Sequence, residues 1–169
     1  MLNCEQFRNV ILKPCLSALQ LDTPVAEELL IATMAHESKG GTYLKQEGGP
    51  ALGIYQMEPK THDDIWNAYL PSFHDVTYKT MAVCKLSMKP TADMMVYNLY
   101  YATCMARIFY LRIPQGLPAT SDIDAIWDYY KKWWNTEKGS AEKDDFVRNY
   151  LKFIGKEPAN AQGKAQRKA

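Results

Sequence analysis

The chain has 169 residues, of which 47% are hydrophobic, enough to bury one core of useful size as a single domain. A formal net charge of +1 provides no global field for nucleic acid or an anionic membrane surface. No apolar run approaches the roughly 18 residues a membrane span requires, and Met1–Phe7 lacks the basic and apolar regions of a secretory signal.

The pattern is helical almost throughout, which places the fold in the all-α class. Residues 3–20 carry Phe7, Val10, Ile11, Cys15, Leu16 and Leu19 at helical spacing, with Pro14 expected to kink or split the run. Thr23 followed by Pro24 marks a helix start, a hydroxyl cap ahead of proline at the first helical position. That helix runs through Leu29, Leu30 and Met34 to Ser38, where Gly40-Gly41 stops it. Residues 42–57, with Gly48, Gly49, Pro50 and Gly53, read as a loop with a short extended segment over 52–57. Pro59 and Thr61 open a helix toward Tyr69, and residues 76–88 form a weaker one.

Residues 91–113 are apolar on most faces and are expected to form one long central helix. After a loop from Pro114 to Thr120, Ser121-Asp122-Ile123-Asp124 caps a helix through Trp134 that Gly139 ends. A last helix starts near Ser140 and carries Phe146, Val147, Tyr150 and Phe153. Residues 1–155 therefore read as one domain and 156–169 as a flexible basic tail without apolar period. Cys4, Cys15, Cys84 and Cys104 show no Cys-x-x-Cys spacing and are expected as buried free thiols, consistent with folding in a reducing cytoplasm.

Glu37 is the leading candidate for chemistry. It follows Ala32-Thr33-Met34-Ala35, and an apolar surround disfavours the charged carboxylate. It also falls in the last helical turn, where the negative end of the macrodipole disfavours a second negative charge. A carboxyl still protonated near neutral pH can donate to the bridging oxygen of a glycosidic bond. Gly40 and Gly41 leave room beside it for a bulky substrate.

Residues 29–61 resemble the catalytic segment of the lysozyme-like superfamily, in its soluble lytic transglycosylase and goose-type lysozyme group. The family's Glu-Ser falls on Glu37-Ser38. Its Gly-Leu-Met-Gln-x-x-Pro-x-Thr falls on Gly53, Ile54, Tyr55, Gln56, Met57, Glu58, Pro59, Lys60 and Thr61. A later aromatic-Asn pair is similar to Trp134-Asn135, with Trp where the family carries Tyr. Asn98 resembles the Asn that opens the family's central helix.

The resemblance implies a lysozyme-like fold and a muramidase acting on the MurNAc-β-1,4-GlcNAc bond of peptidoglycan glycan strands. Glu37 would be the general acid and base, and Ser38, Tyr55, Gln56, Trp134 and Asn135 the substrate contacts. Each contact has a plainer alternative: a helix-end hydroxyl for Ser38, a loop-satisfying amide for Gln56, a core position for Tyr55. Among the aromatics Trp127, Tyr129, Tyr130, Trp133 and Trp134, some are expected in a saccharide groove and about half in the core. Lys131-Lys132 read as solvated surface.

The loop after Glu37 holds no Asp where goose-type enzymes carry theirs, and Glu47 and Glu58 are the nearest other acids. That favours a lytic transglycosylase, in which the sugar's own 6-hydroxyl attacks and no second carboxylate is needed. No cofactor is implied. His36, His62 and His74 do not form a metal-ligand set, although Glu58 and His62 have i, i+4 spacing. The small helical chain without a leader looks like phage-encoded members of the group. It would be made in the host cytoplasm and act on the cell wall, as a virion component with other virion proteins as partners. The alternative is a non-catalytic phage structural protein that keeps the fold.

Overall fold

The structure, a computed structural model, describes residues 1–136 and 139–156. Helix α1 covers residues 4–19 as two α-helical segments joined by a π-helical turn at Arg8–Leu12. Pro14 neither ends nor splits it. Proline has no N–H for the carbonyl of Val10, four residues back. The Tyr100 hydroxyl, at 2.8 Å, donates to that carbonyl instead, so the helix keeps its course. Helix α2 (Pro24–Glu37) starts where the Thr23-Pro24 signal places it, with Thr23 Oγ1 accepting from the Ala26 N–H at 3.1 Å.

Helix α3 (residues 59–69) begins at Pro59 and finishes in a π-helical turn, Ile65–Tyr69. Helix α4 (His74–Val83) is shorter than the expected 76–88 at its C-terminal end, because Lys85 turns left-handed at φ 55°. The expected single helix over 91–113 is two, α5 (Met94–Tyr97) and α6 (Leu99–Leu111). Asn98 separates them. Its extended backbone breaks the ladder while its side chain accepts from the Tyr101 N–H at 3.0 Å, capping α6. Helix α7 (residues 123–135) is capped by Asp122 and ends in a π-helical turn, Lys131–Asn135. Helix α8 (Lys143–Phe153) closes the described chain. The tail expected over 156–169 lies, from residue 157 on, outside the described residues.

The protein is thus mostly helical, with two isolated antiparallel bridges, Lys45 with Leu52 and Leu52 with Met57, where the short extended segment is expected. Helices α2 and α6 are buried on nearly every face and form the centre of the core. A hydroxyl pair ties them together: Thr33 Oγ1 lies 2.8 Å from the Tyr110 hydroxyl and donates to the Leu29 carbonyl. Helix α1 and helix α4 cover α6 on one side, and α7 and α8 pack on α2 on the other.

Three of the four cysteines are buried free thiols, but Cys4 is only half-buried, at the start of α1. No helix among the described residues is long and apolar enough to cross a membrane.

His62 is buried rather than offered to a metal. Its Nε2 lies 2.6 Å from the Tyr101 hydroxyl and its Nδ1 2.8 Å from Asp63 Oδ1. The Trp66 indole N–H also donates to the Tyr101 oxygen, at 2.6 Å. The phenol proton is therefore free to go to Nε2, which leaves Nδ1–H to donate to Asp63. This network fastens α3 onto α6.

Candidate active site

Glu37 is the last residue of α2. Past it the chain turns left-handed through Lys39, Gly40 and Gly41, at φ 50°, 65° and 78°. Ser38 secures the turn from inside. It is fully buried; its hydroxyl donates to the Met34 carbonyl at 3.1 Å and accepts from the Gly41 N–H at 2.8 Å. The expectation that Ser38 contacts substrate is therefore corrected: both its hydrogen-bonding directions are spent on the helix end, which fixes where Glu37 points.

The Gly53–Thr61 block forms the wall opposite. Leu52 and Met57 exchange both backbone hydrogen bonds, at 2.9 and 3.0 Å, around a tight turn. Gly53 sits in that turn at φ 74°, so close to α5 that a Cβ would meet the Met95 carbonyl oxygen at 2.4 Å. Gln56 is also left-handed, at φ 49°. The reversal sends Ile54 and Tyr55 into the core, 0% and 1% exposed, and leaves Gln56, Met57 and Glu58 on the cleft.

Tyr55 is thus a second correction, a core residue rather than a cleft residue. Its hydroxyl makes no well-formed hydrogen bond, and burial pushes its ionisation up. Gln56 satisfies the turn, its Nε2 donating to the Gly53 carbonyl at 2.7 Å, and its side chain also lines the cleft.

The cleft measures about 570 Å³, within the range of substrate sites. Glu37, Gln56, Trp134 and Asn135 all line it, as do Gln46, Glu58, Thr61 and Phe109. Of the six expected site residues, Glu37 and three of the five contacts are therefore brought together. Glu58 is the second carboxylate of the described lining, which holds no Lys, Arg or His.

Burial raises the Glu37 carboxyl from 4.5 to about 7, against hydrogen bonds from Tyr130 and Trp134 that pull it down. The Tyr130 hydroxyl, 2.6 Å away, donates to Glu37 Oε1. The Glu37 carboxyl therefore holds its proton well above the ordinary carboxylate range, and the phenol fixes which oxygen is occupied.

Tyr130 is the Glu37 partner that the sequence does not single out. It was one aromatic among five, yet it lies four residues before Trp134, and i, i+4 residues share a helix face. Its own ionisation is pushed up by burial and by Glu37. The phenol is held by rings: it stacks on Phe146 with centroids 4.6 Å apart and meets the edge of His36 at 5.7 Å.

Trp134 packs against Phe109 and Tyr110 at 4.6 and 5.3 Å while lining the cleft, whereas Trp127, Tyr129 and Tyr130 are buried. Lys131 is not the solvated residue its sequence context implies. Its Nζ donates to Asn135 Oδ1 and to the carbonyls of Gly139 and Ala141, at 2.8, 2.8 and 3.0 Å, pinning the strand of loop that borders the cleft. Among the described residues no group of three His, Cys, Asp or Glu side chains could hold a metal ion. No protein-family model, curated protein or solved structure matches the chain.

Proposed function

We propose that the protein is a peptidoglycan-cleaving muramidase, a lytic transglycosylase with Glu37 as its single general acid and base. The observation that carries this reading is a carboxyl raised to about 7 at the floor of a cleft, with a phenol donating to one of its oxygens. Glu37 would give its proton to the leaving glycosidic oxygen as the C1–O bond breaks. The resulting carboxylate would then take the proton of the sugar's own 6-hydroxyl as that oxygen bonds C1, closing a 1,6-anhydro ring. In this reading Gln56 and Asn135, which line the cleft, would hydrogen-bond the strand, and Trp134 and Phe109 would lie against sugar faces. The lysozyme-like fold belongs to the same proposal and rests on the Glu37-Ser38 and Gly53–Thr61 resemblance, and a phage-encoded, virion-associated setting rests on the likeness of the small helical chain to phage-encoded members of that group.

Incubation of the protein and its Glu37→Gln variant with peptidoglycan sacculi, read by mass spectrometry of released muropeptides, tests it. The expected result is anhydro-muropeptides from the wild type alone. Reducing ends would replace the transglycosylase by a hydrolase and turn attention to Glu58. No release from folded protein would remove the enzymatic reading.

A second reading has its own observation. Tyr78, Met88 and Tyr97 are 75%, 74% and 69% exposed, apart from the cleft lining. Exposed aromatic and apolar side chains outside the cleft are what a non-catalytic structural protein would carry.

A further inference from the structure

Arg107 lies in the middle of α6 and is only 6% exposed. Two residues on, Phe109 lines the cleft, and residues two apart on a helix do not share a face, so Arg107 is directed elsewhere. A guanidinium keeps its charge at any ordinary pH, and burying it without a counter-charge is expensive. The other arginines among the described residues obey this rule: Arg8, Arg112 and Arg148 each grip a carboxylate. Arg107 grips none among the described residues.

Its Nε donates to the Leu21 carbonyl at a long 3.4 Å, and its Nη1 is buried with no acceptor at all. The groups that face it are two phenols. Tyr129 already donates its hydroxyl proton to the Gln115 carbonyl at 2.9 Å, and Tyr69 stacks on Phe73 at 4.2 Å. Burial raises the ionisation of both, so neither supplies a negative charge near neutrality. Leu21, whose carbonyl takes the long bond, and Tyr69 are both half-buried.

We propose that Arg107 is the floor of a small-oxyanion site, separate from the cleft, in which a carboxylate or phosphate group accepts from Nη1. An oxyanion fits better than a halide because charge-assisted N–H···O bonds to a planar guanidinium are directional and short. The site would stand whether or not the chain cleaves glycan.

The test uses the full ¹⁵N-labelled chain and follows the Arg107 Nε–Hε resonance, assigned through its backbone. Sodium phosphate, sodium acetate and sodium chloride are titrated separately at equal ionic strength. A saturable shift with phosphate alone assigns a phosphate site, and one with acetate as well assigns a general carboxylate and phosphate site. Phosphate and acetate shifts no larger than those with chloride overturn the proposal. In parallel, phosphate at about twentyfold over its dissociation constant is expected to raise the wild-type melting temperature by ~5 °C. The Arg107→Met variant is expected to show no such rise, and an equal rise in that variant would also overturn the site.

Discussion

Glu37 and Tyr130 act on each other, and the direction of the coupling can be measured. The phenol's hydrogen bond lowers the Glu37 carboxyl against the larger upward push of burial. Tyr130→Phe removes the lowering contribution and keeps the ring stacked on Phe146. The Glu37 ionisation is then expected above about 7, and the alkaline limb of the pH–activity profile should move up with it. Cleavage at the optimum should fall roughly tenfold, since the phenol also positions the proton. An unmoved limb with reduced activity would mean that Tyr130 only supports the fold.

At this scale the sequence was legible where one segment carries the candidate residues. Glu37 after an apolar run and Gln56 in a glycine-led turn could both be read directly. Ser38 and Tyr55 could not, because which way a side chain points depends on a left-handed turn at Gly40-Gly41 and another at Gln56. Tyr130 reaches Glu37 across 93 positions of sequence, a pairing no local pattern contains.

Turns between elements decide how well the cleft is built. Gly53→Ala would force a side chain into the left-handed region and against the Met95 carbonyl. A loss of about 2–3 kcal/mol is expected in urea denaturation, with cleavage reduced beyond what the remaining folded fraction explains. Asn98→Ala removes both the cap on α6 and a 3.3 Å hydrogen bond from Nδ2 to the Cys84 carbonyl. It should cost about 1–2 kcal/mol in the same measurement. A neutral result would mean that the break between α5 and α6 is held by packing alone.

Helix starts were readable because caps are local: Thr23-Pro24, Pro59 and Asp122 each carry their own signal. Periodicity did not show the division at Asn98, since an apolar pattern continues across it and one capping amide settles the matter; only the likeness of Asn98 to an Asn that opens a central helix pointed there. Pro14 shows the converse. A residue that ordinarily breaks a helix is accommodated because Tyr100, from another helix, takes up the stranded carbonyl.

The molecule as a whole holds a cost at its centre. The Glu37 carboxyl binds its proton more tightly folded, at about 7, than unfolded, near 4.5. The associated stability is therefore full below about pH 4.5 and is lost as pH rises through about 7. Over that window the wild type should lose about 3 kcal/mol relative to Glu37→Gln, in chemical denaturation at about pH 4 and about pH 8. A constant difference between the two proteins would mean that the carboxyl is not buried in solution.

The cleft itself is assembled from the end of α2, the 46–58 turn, α6 and the end of α7, segments that only the packed core brings together. Composition and periodicity gave the all-helical class but contained nothing of that convergence beyond the Glu37 to Thr61 stretch. The most direct test is a pH titration of the Glu37 side-chain carboxyl carbon by NMR, assigned by its absence in Glu37→Gln. A midpoint near 7 is the predicted result, the raised carboxyl that the proposed cleavage requires. A midpoint near 4.5 would contradict the account, since the carboxyl would then be an ordinary solvated anion at the pH where it is required to donate.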